Sequence, residues 1–341
     1  MSAELTAAGT RERVLDAVRT NDRFLLVTHE NPDGDALGSL VAMHGVLRLL
    51  GKQATMFVGA DEFPLPYEYR FFDLEHGVVT DVPDDLATRV VIFLDCGNID
   101  RAPEELRDPD LRILNVDHHH DNTRFGTIDH VVPEASCTAE IVWDLMRSLG
   151  VEVTPEIADA LYVGLVTDTG KFMYENTGTR AHVMAAELID AGVDVHAIYR
   201  RLYEGIPYAK LRLLALALGA VRRFDDGHLT MSRLTREHFA EAEAEDSYSE
   251  GIVDHLRGVS GTKVAALVRE LGGNGAARAK VSLRAADPAV DVSAIARAGG
   301  GGGHRQAAGF TTELGDEQLV AFLREALAAQ LAALPDDHSS R

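Results

Sequence analysis

The stretch VTHENPDGDALGS, residues 27–39, follows the apolar run FLLV and precedes a helix-like run of apolar and small residues. It places His29, Asp33 and Asp35 close together at a predicted turn. Gly34 permits a tight turn between the two aspartates, and the unpaired N–H groups at the start of the following helix stabilise an ionised Asp35. Taken alone, the pattern fits either a helix N-cap in a solvated loop or a metal site.

Three further segments end an apolar run on the same kinds of side chain. VVIFLD ends on Asp95, LRILNVDHHH ends on residues 117–120, and ALYVGLVTD ends on Asp168. In an open parallel α/β sheet, ligands bind beyond the carboxyl ends of the strands. The four segments are therefore predicted to converge on one crevice. One aspartate at a strand end is commonly a cap, but four such ends indicate bound cations, and mixed imidazole and carboxylate ligands suit Mn, Fe, Co or Zn.

Composition limits the classes of function. A chain of 341 residues with a hydrophobic fraction of 46% fits two water-soluble globular domains. A formal net charge of -21 argues against binding to long DNA or RNA, but bound cations would still admit a short anionic substrate. There is no apolar run of membrane-spanning length and no signal-peptide pattern, so we expect a cytoplasmic protein without membrane contact. Cys96 and Cys137 form no C-x-x-C pair, which argues against a disulfide framework or a thiolate zinc site.

The chain divides into two domains by its pattern of strands and helices. Alternating strand-like and helix-like runs predict a parallel-sheet α/β domain at residues 1–205. A linker helix is predicted at residues 206–222, a smaller α/β domain at 223–335 and a tail at 336–341. The smaller domain contains the strand-like runs KVAALVREL and AKVSLRA and a run of five glycines at 299–303.

These motifs, in this order, resemble the DHH phosphoesterase superfamily. The resemblance is carried by NPDGDALGS, LDCGN, DHH at residues 117–119 and VTDTGKF, while GGGGHRQAAGF at residues 300–310 resembles the signature of a DHHA1 substrate domain. In size and layout the chain is similar to the NrnA-like branch of oligoribonucleases and pAp phosphatases, which also includes cyclic-dinucleotide phosphodiesterases. The resemblance implies a parallel-sheet DHH domain and a smaller α/β DHHA1 domain joined by a helical linker.

The resemblance also implies two divalent ions, most often Mn²⁺ in this family. The first ion would be held by His29, Asp33 and Asp95, and the second by Asp35, Asp95, His118 and Asp168. Asp95 would then bridge the two ions. Asp117 would orient a neighbouring histidine or loop, and His119 would face the substrate phosphate as an electrostatic stabiliser or proton donor.

Substrate contacts are expected from the second domain. The glycine run alone fits a flexible linker, and it does not match G-x-G-x-x-G because position 304 is His. Small residues followed by charged ones also permit close approach of a phosphate, and alternate residues of KVSLRA share one strand face. The predicted contacts on the loop and on this strand are Ser282, Arg284, Gly302, Gly303, His304 and Arg305.

Two further segments have weaker signals. In EASCTAE, residues 134–140, Ser136 is predicted to be the N-cap of a helix, with Thr138 in the same helix-start signature. Tyr174 lies beyond the fourth motif. The sequence gives no reason to prefer base stacking over core packing as the role of its ring.

The sequence therefore predicts a metal-dependent phosphoesterase in which two metal ions direct water attack on phosphorus. Expected substrates are RNA of about two to five nucleotides, 3′-phosphoadenosine 5′-phosphate (pAp), and linear or cyclic dinucleotides. An inorganic pyrophosphatase would share the first domain but have a different second one. A non-catalytic nucleotide sensor is the alternative from another class. The resemblance leaves a homodimer open.

Overall fold

A computed structural model describes residues 7–272, 278–303 and 305–332 of the chain. The chain forms two compact units that meet in sequence between Gly205 and Ile206. The helix predicted as a linker belongs to the second unit, where it begins at Tyr208. His304 lies outside the described residues, so its predicted role stays a prediction. No helix of the described residues is long and apolar enough to cross a lipid bilayer.

The first unit is built on a parallel sheet flanked by helices, which confirms the predicted α/β architecture. Its strands are β1 Arg23–Val27, β2 Gln53–Phe57, β3 Val78–Val79, β4 Val90–Leu94, β5 Arg112–Asp117 and β6 Ile128–Val131. Its helices are α1 Ala7–Thr20, α2 Gly34–Leu49, α3 Thr138–Ser148, α4 Pro155–Asp168, α5 Thr179–Asp190 and α6 Val195–Tyr203. The strand order β3-β2-β1-β4-β5-β6 reverses between β1 and β4, and such a reversal opens a crevice at the carboxyl ends of these two strands.

Strands β1 and β4 are largely apolar because both faces of the sheet are covered. Phe24 and Leu26 of β1 belong to one buried cluster. Leu25 and Val27, on the opposite face of the same strand, belong to another. From Phe24 to Val27, polar and apolar side chains therefore do not alternate. Polar side chains follow where the chain leaves the sheet, at the edge that carries the candidate site.

Helices α2 and α4 cross at two glycines, which sets the position of the aspartates at their ends. A Cβ atom on Gly38 would lie 2.4 Å from the Ala160 carbonyl oxygen and 2.9 Å from the Gly164 nitrogen. Both contacts are with backbone, which cannot move aside as a flexible side chain can. The crossing holds the first turn of α2 against α4 at the Asp35 side chain, whose Oδ1 would lie 2.8 Å from a Cβ on Gly164.

We expect Gly38→Ala to lower the free energy of unfolding by about 1–3 kcal/mol, because the added methyl forces the two backbones apart. The matched control is Gly219→Ala at the end of a helix in the second unit, where a Cβ meets nothing within 4 Å. Urea unfolding followed by circular dichroism measures both. Equal transition midpoints for the two variants would contradict the close crossing.

A second prediction concerns His130 of β6, which is only 3% exposed and lies with Nδ1 3.0 Å from Thr10 Oγ1 of α1. Burial lowers its pKa from 6.5 to about 4. Between these two values the unfolded chain binds a proton that the folded chain does not. This contribution to stability is therefore complete above pH 6.5 and is lost as the pH falls towards 4.

Between pH 7 and pH 5 the wild type should lose about 2 kcal/mol of unfolding free energy through this one group. His130→Gln should remove that part of the pH dependence, whereas His76→Gln, at a histidine whose side chain is 82% exposed, should retain it. Urea unfolding at the two pH values is the measurement. A pH dependence that is the same in His130→Gln as in the wild type would refute the assignment.

The second unit carries a mixed sheet with helices. Its strands are β7 Arg222–Phe224, β8 Leu229–Leu234, β9 Val264–Glu270, β10 Ala279–Ala285, β11 Gly302–Gly303 and β12 Ala307–Thr312. Its helices are α7 Tyr208–Gly219, α8 Arg236–Ala242, α9 Ile252–Arg257, α10 Val292–Ala298 and α11 Asp316–Ala332. The strand order is β11-β12-β10-β9-β8-β7, with β8 and β9 parallel and the other pairs antiparallel. Burial alternates along β10, which confirms that Ser282 and Arg284 share a face.

Candidate metal centre

The first unit brings the predicted ligands to the carboxyl edge of its sheet. His29 lies just beyond β1 and Asp95 directly follows β4, so these two residues flank the point where the strand order reverses. Asp117 ends β5, and the DHH histidines follow it. Asp33 is the N-cap of α2, where its Oδ1 accepts hydrogen bonds from the N–H groups of Asp35 and Ala36 at 3.1 Å. The last residue of α4, Asp168, completes the set.

The six predicted metal ligands form two groups. Within each group one ligand atom per residue lies within 4.8 Å of the others, and the groups are His29, Asp33 and Asp95, and Asp35, His118 and Asp168. His118 Nε2 lies 3.6 Å from Asp95 Oδ1, 3.7 Å from Asp168 Oδ2 and 4.0 Å from Asp35 Oδ2. These separations are too long for hydrogen bonds but leave room for an ion between the atoms. A third group of this kind, Asp95, His118 and His119, was not predicted.

Asp95 stands where the two ligand groups meet. Its Oδ2 lies 3.7 Å from His29 Nε2, whereas its Oδ1 faces His118 and His119, each at 3.6 Å. The backbone at Asp95 has φ +60°, a left-handed conformation that is uncommon in residues with a Cβ and costs energy there. This conformation ends strand β4 abruptly and turns a 2% exposed carboxylate into the crevice.

Electrostatics makes the cluster unfavourable without bound cations. Burial raises the pKa of Asp35, and the charges of Asp95 and Asp168 raise it further. Burial also raises the pKa of Asp168, to about 7. At Asp95 burial opposes ionisation, but the surrounding histidines outweigh it and lower the pKa. A dication relieves this repulsion, and the oxygen and imidazole donors are those that such ions take. The residues present therefore fit a divalent metal.

His119 is held by Asp117 rather than by the predicted metal ligands. Its Nδ1 lies 2.6 Å from Asp117 Oδ1, and Asp117 is fully buried. Burial by itself would lower the pKa of His119, but the hydrogen bond to Asp117 and the charge of Asp95 raise it to about 10. The side chain of His120, the third histidine of this run, is exposed.

His29 shows a related arrangement. Its Nδ1 lies 2.7 Å from the Glu30 carbonyl oxygen, and its Nε2 faces Asp95. Arg101 Nη2 also lies 2.7 Å from that Nδ1, so a cation stands beside the cluster. The sequence did not draw attention to Arg101, because an arginine in a loop after a strand carries no signal of its own.

The loop before α3 corrects one prediction. Ser136 is not an N-cap, because α3 begins at Thr138 after Cys137, which makes no side-chain cap bond. The N–H groups of Thr138 and Ala139 instead donate to the two oxygens of Asp35, at 2.6 and 2.9 Å. A carboxylate from α2 thus caps α3, which no local pattern could reveal.

Two residues that contact the cluster were missed as such. Thr138 Oγ1 donates to Asp95 Oδ1 at 3.0 Å. Asn176 Nδ2 lies 3.2 Å from Asp168 Oδ2 and 2.8 Å from the Ser136 carbonyl oxygen. Each residue contacts a partner that is distant in sequence or lies across a turn. No spacing in the sequence therefore indicated either contact.

The predicted substrate contacts of the second unit have partners of their own. Arg305 donates to the carbonyl oxygens of Pro288 and Ala289 at 3.2 and 3.4 Å. Arg284 Nε lies 3.5 Å from Asp254 Oδ1. A Cβ on Gly303 would lie 2.6 Å from the Ala308 Cα, so this glycine is required by its own sheet, whereas a Cβ on Gly302 would meet nothing within 4 Å. Their contacts with substrate remain predictions.

A parallel sheet with carboxylates and imidazoles gathered beyond its strand ends is the architecture of a metal-dependent hydrolase. Comparison with known proteins identifies the family within this class. Residues 23–165 match the DHH family, N-terminal domain, and residues 228–333 match the DHHA1 domain. The chain belongs to the DHH family of phosphoesterases, which are metal-dependent hydrolases of phosphate esters.

Relatives with established names cover most of the chain. It is 33% identical over 288 residues to the bifunctional oligoribonuclease and PAP phosphatase NrnA of Thermus thermophilus, a match that covers 84% of this chain and 83% of that protein. It is 24% identical over 312 residues to the protein of the same name in Bacillus subtilis, covering 90% and 95%. A crystal structure of an exopolyphosphatase-related protein from Bacteroides fragilis, 24% identical, superposes with a TM-score of 0.80 over 96% of this chain and 98% of that one. This last likeness shows the fold.

Proposed function

We propose that this chain hydrolyses phosphate esters of short nucleotides, namely oligoribonucleotides of a few residues and pAp. Its proposed cofactors are two divalent metal ions, with Mn²⁺ as the proposed metal. One observation carries the proposal: two groups of ligands meet at Asp95, whose two oxygens face different groups. The names of the relatives at 33% and 24% identity support the class of substrate.

In this proposal the predicted residues divide into metal ligands and residues that act on the substrate phosphate. His29, Asp33 and Asp95 hold one ion, and Asp35, Asp95, His118 and Asp168 hold the other. The ions, when bound, supply Lewis acidity and an acidified water for attack on phosphorus. His119, oriented by Asp117, donates a hydrogen bond to a non-bridging phosphate oxygen and stabilises the charge that develops there.

The second unit is proposed to contact the remainder of the nucleotide. Gly302 is the glycine of the loop with open space beside it, and Ser282 and Arg284 share a half-buried face of β10. Gly303, His304 and Arg305 remain part of this proposed set. The net charge of -21 supports a preference for short substrates over long DNA. A homodimer and a cytoplasmic location also remain expectations.

The decisive experiment supplies the purified chain with Mn²⁺ and offers a diribonucleotide, pAp, cyclic di-AMP and pyrophosphate in parallel, with a chelator-treated sample as the control. Hydrolysis of the diribonucleotide and pAp, lost with the chelator and restored by Mn²⁺, is the expected result. Hydrolysis of pyrophosphate alone would overturn the substrate class. Tight nucleotide binding without turnover would favour the sensor instead.

A further inference from the structure

Residues 136–139 contact two aspartates of the crevice directly and a third through Asn176, although none of these residues was predicted to bind a metal. Thr138 and Ala139 hold Asp35 through their N–H groups. The Thr138 hydroxyl reaches Asp95, and the Ser136 carbonyl accepts from the Asn176 amide that also reaches Asp168. The segment therefore connects side chains that come from three different elements.

The Thr138 hydroxyl is not acting as a helix cap. A capping hydroxyl lies at the N-cap position and accepts a hydrogen bond from a backbone N–H of its own helix. Thr138 is the first residue of α3, beyond the N-cap Cys137, and its Oγ1 donates to a carboxylate 43 residues away. Thr138 is also fully buried, so the bond is shielded from competing solvent.

The oxygen that receives this bond is the one that faces the DHH histidines. Asp95 Oδ1 is 3.0 Å from Thr138 Oγ1 and 3.6 Å from His118 Nε2, whereas Oδ2 is directed to His29. The terminal torsion of an aspartate is soft, so the carboxylate plane is not held by the side chain itself.

We propose that Thr138 is a positioning residue that sets the carboxylate plane of Asp95, so that its two oxygens serve two different ion positions. This inference rests on the metal centre of the proposed function. Without the hydroxyl, the carboxylate can rotate so that both oxygens face one group of ligands. The site then binds one ion well and the second ion poorly.

The test compares Thr138→Val, which replaces the hydroxyl by a methyl, with Thr138→Ser, which keeps the hydroxyl. The control is Thr230→Val in the second unit, which removes a fully buried threonine hydroxyl whose Oγ1 lies 2.6 Å from Thr262 Oγ1. Mn²⁺ is titrated into each protein after metal removal. Free Mn²⁺ and the signal of spin-coupled Mn²⁺ pairs are followed by electron paramagnetic resonance, and kcat and KM are measured on the diribonucleotide.

In Thr138→Val we expect affinity for the second Mn²⁺ to fall about 10- to 100-fold, with loss of the coupled-pair signal at stoichiometric metal. In this variant kcat should fall by a similar factor, while KM changes less than about threefold. Thr138→Ser and Thr230→Val should stay within about threefold of the wild type. If Thr138→Val does not fold, Thr138→Ala, which also lacks the hydroxyl, replaces it in the test.

Two Mn²⁺ ions bound by Thr138→Val with wild-type affinity and a wild-type coupled signal would overturn the inference, whatever its activity. The same holds if Thr138→Ser behaves like Thr138→Val. A wild type that binds the coupled pair but hydrolyses no nucleotide would instead refute the proposed function, and the metal titrations would still decide the role of Thr138.

Discussion

Asp95→Asn should lower kcat/KM on the diribonucleotide at least about 1,000-fold, a loss of about 4 kcal/mol of transition-state stabilisation. The change removes one charge and one good ligand oxygen where the two groups of ligands meet. Asparagine tolerates the left-handed backbone better than alanine does, so the φ of +60° at this position is retained. Metal analysis after gel filtration should find the coupled Mn²⁺ pair absent, which separates loss of the bridge from general damage.

The control for this variant is Asp73→Asn. Asp73 also has a left-handed backbone, with φ +49°, but its side chain is 79% exposed in a surface turn. It should keep wild-type activity and metal content. If Asp95→Asn still binds two spin-coupled Mn²⁺ ions tightly, Asp95 does not bridge the ions. The proposed function then loses the observation on which it depends.

His119→Asn should lower kcat on the same substrate about 100- to 10,000-fold and leave both ions bound. The reason is the position of His119, whose Nδ1 donates to the buried Asp117 and whose raised pKa keeps the ring protonated, so that the other ring nitrogen is also a donor. Asp117→Asn should cause a smaller loss, about 10- to 100-fold, because it acts through the orientation of His119.

His120→Asn is the matched control, since it makes the same change in the next residue, whose side chain is exposed. It should behave as the wild type does. The structure also allows His119 to join Asp95 and His118 as a ligand group. If His119→Asn loses an ion in the Mn²⁺ titration, His119 is a metal ligand and its proposed contact with phosphate is wrong.

The elements of the first unit could be predicted from local patterns. Strands β1 and β4 are largely apolar because both faces of the sheet are covered, and each apolar run stops where the chain leaves the sheet. Since parallel strands end at one edge, His29, Asp95 and Asp117 could be predicted to converge without coordinates. Asp33 and Gly34 gave an equally local signal for the start of α2.

Contacts between distant residues could not be predicted in this way. Ser136 resembled an N-cap, but the cap of α3 comes from Asp35, more than 100 residues earlier in the chain. Tyr174 was open between core packing and base stacking, and it is 41% exposed with its ring over Gly170, which excludes the core. Stacking on a base is the untested alternative for Tyr174.

The sequence by itself indicated the family through the resemblance of its motifs. It also determined the parallel sheet and the side chains at its carboxyl edge, because strand and turn signals depend only on neighbouring residues. Only the tertiary structure decided which oxygen of Asp95 faces which histidine and which donors hold it there. Such orientations depend on a helix crossing at Gly38 and on hydrogen bonds between residues far apart in sequence. A sequence pattern cannot predict these contacts, because they form only when the helices and strands pack together.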